Sequence, residues 1–213
     1  MKTRQVTRLA VLLCIAATGS AQAATATRSI KADSAPNSRQ VPDVISALVA
    51  AGPHASLGDQ AKVLEQLVGT WDVEYRDILK DGREQRRSGQ FIMAWVLDGR
   101  AIEDVWIVDA SEDRHEREVY AAIQYFDSKT RSWPMVFIDP EHASTAKLTG
   151  GATLDGRLVL QTSDLGRPQN RWSFTATGPD SVVFRDEFSS DGGETWKLLS
   201  EDHLKRHHDA ASR

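Results

Sequence analysis

The chain has 213 residues, of which 26 are Lys or Arg and 30 are Asp or Glu, with 40% hydrophobic side chains. That balance fits one globular domain with short tails and excludes collagenous, low-complexity and wholly disordered chains. A mildly acidic chain offers no cationic field to release counterions, so neither nucleic acid nor an anionic membrane surface is an expected partner.

Lys2, Arg4 and Arg8 precede an apolar run from Leu9 to Ala17, and Ala21-Gln22-Ala23 places small residues at cleavage-site spacing. Residues 1–23 therefore read as a secretory signal peptide cut after Ala23, and the mature protein is expected to be exported, periplasmic or secreted. The apolar run is too short to cross a bilayer, and no later stretch approaches the roughly 20 apolar residues a spanning helix needs. No integral membrane segment is expected in the mature chain. Cys14, the single cysteine, lies inside the run and leaves with it, so neither a disulfide nor a thiolate metal site is expected.

Residues 24–55 read as a flexible leader, because 24–41 are rich in Ala, Thr, Ser and Arg without an apolar period. Val44, Ile45, Leu48 and Val49 predict a short helix stopped by Gly52 and Pro53. Ser56 and Asp59 have capping-box spacing ahead of Leu57, Ala61, Leu64 and Val68, which predicts a short amphipathic helix opening a domain over 56–206.

From Thr70 the period changes to strict alternation broken by turn dipeptides. Strands are predicted over 70–77, 86–97, 101–109, 117–126, 132–139, 144–152, 157–163, 170–177, 181–189 and 195–205. Asp81-Gly82, Asp98-Gly99, Asp155-Gly156 and Gly192-Gly193 supply turns between them. Ten short antiparallel strands joined by hairpins predict an all-β, up-and-down barrel, since closure removes exposed edges. Residues 207–213 form a polar tail.

Alternation also identifies the inward faces. Trp172, Phe174 and Ala176 share one face of their strand, and Val182, Phe184, Asp186 and Phe188 share one face of the next. Asp104 lies in phase with Ile102 and Trp106, and Asp139 with Trp133, Met135 and Phe137. Three carboxylates thus fall on predominantly apolar faces. A buried unpaired charge is costly, so pairing with Arg100, Arg171 or Arg185 is the default expectation.

Leu67-Val68-Gly69-Thr70-Trp71 resembles the L-x-G-x-W opening of lipocalin-like (calycin) barrels. Trp95 to Arg100, then Glu103 and Trp106, continue the resemblance, as do Tyr125 to Trp133 with Asp139 beyond. In that order these segments resemble bacterial lipocalin-like proteins classed as a domain of unknown function, over about residues 57–205. The resemblance implies a ligand-sized β-barrel with a helix near one end, and no reaction. Gln124 stands where that family has glycine before the Tyr-Asp pair. Ser189 to Trp196, with Asp191, Gly192, Gly193 and Thr195, resembles the Asp-box hairpin of sialidases and other propellers. A single copy cannot build a propeller, so it is read as a structural hairpin in which Asp and Ser bond the turn and Trp packs beneath.

The candidate ligand-binding residues are Trp95, Trp106, Trp133, Trp172, Phe174, Phe184, Asp104, Asp139 and Asp186, because an apolar cavity needs aromatic walls and a few polar anchors. The expected ligand is a small apolar or amphipathic molecule. The alternatives are a lipocalin-fold isomerase, cyclase or hydrolase using the same carboxylates, and an envelope interaction module with a filled barrel and an exposed apolar face. No catalytic residue is assigned. His203, His207 and His208 fall across a strand end and a tail, so no metal site is expected, and no cofactor fingerprint is present.

Overall fold

The computed structural model describes residues 44–112, 114–162 and 168–208. The expected signal peptide, residues 24–43 of the leader and the end of the tail lie outside the described residues. Ten strands follow one another: β1 (Gly69–Ile78), β2 (Glu84–Val96), β3 (Ala101–Val108), β4 (Glu118–Tyr125) and β5 (Trp133–Asp139), then β6 (Ser144–Ala152), β7 (Leu158–Thr162), β8 (Gln169–Gly178), β9 (Ser181–Ser189) and β10 (Lys197–Arg206). Each pairs antiparallel with its sequence neighbours, and β1 also pairs with β10. The result is the closed up-and-down barrel that the alternation predicts, with no unpaired edge.

Two helical pieces precede the barrel, α1 (Val44–Leu48) and α2 (Lys62–Glu65), the latter entered through a 3₁₀ segment over Ala55–Ala61. The capping-box expectation is corrected here. Gly58 is left-handed at φ 51° and breaks the period between Ser56 and Asp59. The cap is instead His54, whose Nδ1 accepts from the Ser56 N–H at 3.2 Å, while Asp59 turns outward to Lys62 at 2.7 Å.

The lower end of the barrel, where β1 begins, is closed by these helical pieces. Leu57, Ala61, Leu64 and Leu67 join the barrel core. The L-x-G-x-W segment has a direct physical role: Gly69 adopts φ 125°, and the Trp71 Nε1–H donates to the Leu67 carbonyl at 2.9 Å. Arg206 then lies 4.1 Å from the Trp71 ring centroid and donates to the Val68 and Gln66 carbonyls at 3.0 and 3.1 Å. A cation at the C-terminal end of a helix satisfies carbonyls that have no intrahelical partner.

Residues 48–54 are stapled to the β2–β3 hairpin. Leu97 N donates to Leu48 O, Ala50 N to Trp95 O and His54 N to Gly99 O, each at 2.9 Å. Gly99 sits at φ 71°, and a Cβ there would meet the Gly52 carbonyl oxygen at 2.3 Å. Both the turn and the strap therefore require glycine.

The Asp-box hairpin is structural, as the sequence indicates. Asp191 accepts from the Thr195 N–H at 2.9 Å, and Ser189 Oγ accepts from the Gly193 N–H at 2.8 Å. Bonds from Thr195 and Ser189 hold the Asp191 carboxyl well below the usual carboxylate range. Arg171 lies over the Trp196 ring at 4.1 Å.

Candidate functional site: a carboxylate-bordered aromatic mouth

Inward residues of the strands meet near the middle of the barrel. Trp106 on β3 lies 5.0 Å from Phe184 on β9, ring centroid to ring centroid, and 4.4 Å from Phe91 on β2. Phe174 on β8 lies 4.9 Å from Phe184. Strands β3 and β9 stand on nearly opposite sides of the ring of strands. The rings therefore fill the central layer of the lumen and form the floor of whatever lies above.

Toward the upper end a further pair of rings adjoins this floor. Phe137 on β5 meets Trp172 on β8 edge-on at 5.0 Å, and Trp172 meets Phe184 at 5.9 Å. Unlike the floor, Phe137, Trp172 and nearby Ala146 are only partly buried. Trp172 Nε1 is buried and finds no acceptor among the described residues.

All three inward carboxylates border this cluster. Asp104 is 3% exposed, and its Oδ1 accepts from Trp106 Nε1 at 2.9 Å. Burial pushes this carboxyl up to about 7, the Trp106 hydrogen bond pulls it back, and the Glu103 charge adds to the rise. Asp186 pairs directly across from Trp172 and accepts from Asn170 Nδ2 at 3.4 Å. Asp139 closes β5 on the same face as Phe137. It accepts from the His142 N–H at 3.0 Å and lies 2.9 Å from His142 Nδ1.

The partners differ from the arginines that pairing rules suggest. Arg171 and Arg185 are out of phase with the inward residues and pair on the exterior, with Glu187 at 2.9 Å and Glu201 at 2.8 Å. Arg100 reaches His54 at 2.8 Å.

The sequence candidates thus divide. Trp106, Trp172, Phe174 and Phe184 lie with Asp104, Asp139 and Asp186 around one cluster. Trp95 and Trp133 are 6.5 Å apart at the closed lower end, both buried. A shallow groove of about 640 Å³ lies outside that end, lined by Lys62, Gln66, Arg131 and Gly151 among others, and includes none of the three carboxylates.

Sequence reasoning passed over a second set of buried polar groups, carried by β1, β2, β4 and β10. Arg87 donates to Asp77 at 2.8 Å and to Glu118 at 3.3 Å, and Glu118 accepts from the Tyr120 hydroxyl. Asp202, 1% exposed, accepts from the Arg76 N–H at 3.2 Å. The signal was available: Glu118 is in phase with Tyr120 and Ala122, and Asp202 with Leu204. Among the described residues no group of three His, Cys, Asp or Glu side chains is placed to hold a metal ion, and no helix is long and apolar enough to cross a membrane.

No family model matches the chain, and no curated protein matches it. Solved structures do. Rv2717c from M. tuberculosis is 14% identical, with 70% of this chain covering 100% of that one at a TM-score of 0.51. The S-type phycobiliprotein lyase CPES from Guillardia theta is also 14% identical, with 69% of this chain covering 92% of that one at a TM-score of 0.49. At this identity the likeness is one of fold alone, the closed antiparallel β-barrel described above.

Proposed function

We propose that the protein is exported and binds a small amphipathic molecule at the upper mouth of its barrel. The observation that carries this reading is the partly open Phe137–Trp172 pair, bordered by three carboxylates, with a buried indole N–H that has no described acceptor. Aromatic walls with a few convergent polar groups suit a ligand with a planar apolar body. Trp172 Nε1 calls for an acceptor on that body. Asp186 and Asp139 favour a donor or a cation at its rim. Binding is preferred to catalysis because each acid already accepts from a neighbouring donor: Asp104 from Trp106, Asp139 from the His142 N–H and Asp186 from Asn170.

The test begins with native mass spectrometry of protein purified from its own host, comparing intact mass before and after denaturation. A released aromatic molecule bearing both donor and acceptor groups is the expected result. The purified protein is then titrated with a panel of aromatic amines and their carboxylate analogues while tryptophan emission is followed. Quenching by the amines that Trp172→Leu abolishes supports the site. Apo protein with no quenching by any member of the panel overturns it. Export is tested separately by the N-terminal sequence of the periplasmic or secreted protein, which is expected to begin at Ala24.

A further inference from the structure

The barrel exterior is not uniform. On β1, β8, β9 and β10 the outward positions carry ion pairs, among them Arg76 with Glu201 at 3.0 Å and Arg171 with Glu187 at 2.9 Å. On β4 and β5 every outward residue is uncharged: Val119, Ala121, Ile123 and Tyr125 on one strand, Pro134, Val136 and Ile138 on the other. Val119, Tyr125, Val136 and Ile138 are 39%, 55%, 38% and 44% exposed. The neighbouring outward positions of β3, Val105 and Ile107, extend the same face. A continuous apolar face of this kind marks an interaction surface.

The register indicates the occupant. One row across the face reads Glu103 on β3, Ile123 on β4, Val136 on β5 and Lys147 on β6. The acid and the base flank the apolar pair at equal distance, one strand beyond it on either side. Neither forms an ion pair among the described residues. A two-fold axis lying in the contact plane, parallel to the strands and between β4 and β5, places Glu103 over Lys147 of a second copy, and the reverse. The same operation lays Ile123 over Val136 of the second copy, and Ala121 over Ile138. A two-fold interface requires this self-complementarity, with residue i meeting j and j meeting i.

The area is also sufficient. With strands about 4.8 Å apart and residues about 3.3 Å along each, the face has a projected footprint of roughly 400 Å². Side-chain relief raises the accessible area, so two copies together bury about 1,000 Å², the lower edge of specific interfaces. We infer that the outer face of β3–β5 is the contact surface of a two-fold homodimer in which Glu103 of each copy meets Lys147 of the other.

Sedimentation velocity from about 1 to about 500 µM tests this, because mass action makes the dimer fraction depend on concentration. The wild-type chain is expected to dimerise reversibly across that range. Val136→Lys should weaken association about tenfold or more while leaving the circular dichroism spectrum intact. Glu103→Lys should weaken it as well, and the double swap Glu103→Lys with Lys147→Glu should restore it, a rescue that a merely sticky surface does not give. A monomer at the highest concentration overturns the proposal, even one that binds a hydrophobic dye, since the face then serves some other partner. Dimerisation indifferent to Val136→Lys, or a double swap without rescue, overturns it too.

Discussion

The two ends of this barrel are built from the same alternating strands and behave as opposites. The lower end is sealed: Trp71, Trp95 and Trp133 are at most 3% exposed, helical segments cover them, and Arg206 ties the closure to the last strand. The upper end gathers Asp77, Arg87, Glu118, Asp139 and Asp186, and leaves Phe137 and Trp172 partly uncovered. Apolar burial stabilises the first, and hydrogen bonding makes the second tolerable, because a buried carboxylate without partners would be costly. Apolar burial therefore dominates below and paired polar groups above.

Substitutions should separate the ends by size of effect. Trp133→Ala, at the sealed end, removes a fully buried indole and should cost about 3–5 kcal/mol in urea denaturation. A change below about 1 kcal/mol would mean the lower end is not the stabilising half.

Asp104→Asn, at the buried acid beside Trp106, acts through pH. The native carboxyl holds its proton up to about 7 whereas the unfolded group titrates near 3.8. The stability it contributes is fully present below pH 3.8 and is lost as pH rises through about 7. Asn keeps an acceptor for Trp106 and never ionises. The variant should lose the stability slope between those two pH values and be more stable than wild type at about pH 8, by up to a few kcal/mol. Thermal melts across the range read this directly, and parallel curves for the two proteins would contradict it.

Gly99→Ala forces a left-handed backbone on alanine and drives its Cβ into the strap, and should cost about 1–3 kcal/mol. Its signature is faster hydrogen exchange at the Ala50 and His54 amides, with the barrel strands unaffected. Trp172→Leu, at the open end, should move stability least, by about 1 kcal/mol, while removing the ligand-dependent quench. Equal losses of stability in Trp172→Leu and Trp133→Ala would erase the distinction between the ends.

Much of the architecture was legible because the side-chain period of a strand is 2 and both faces of this barrel differ in polarity. Trp172, Phe174, Phe184 and Asp104 were placed inward on phase alone. The helical entry was less legible: Ser56 and Asp59 have the right spacing for a capping box, but Gly58 takes a left-handed conformation that spacing cannot reveal. The partners of the acids were not legible either. Local charge pairing suggested arginine, whereas the inward phase excludes Arg171 and Arg185 and leaves Trp106, His142 and Asn170 as donors. Glu118 and Asp202 were equally in phase, yet Glu118 follows directly on the charged Arg114–Arg117 loop and Asp202 sits in a strand with abundant charge, which masked the signal.

The sequence by itself determined strand number, the turns and the inward set, since these depend on local periodicity and on glycine at positive φ. Which inward residues meet was decided only by closure. Strand stagger brings Trp106 to Phe184 across the lumen, divides the tryptophans between a sealed and an open end, and sets three acids around one cluster. Those distances arise from strand tilt and pairing register around the closed ring, which no single strand encodes.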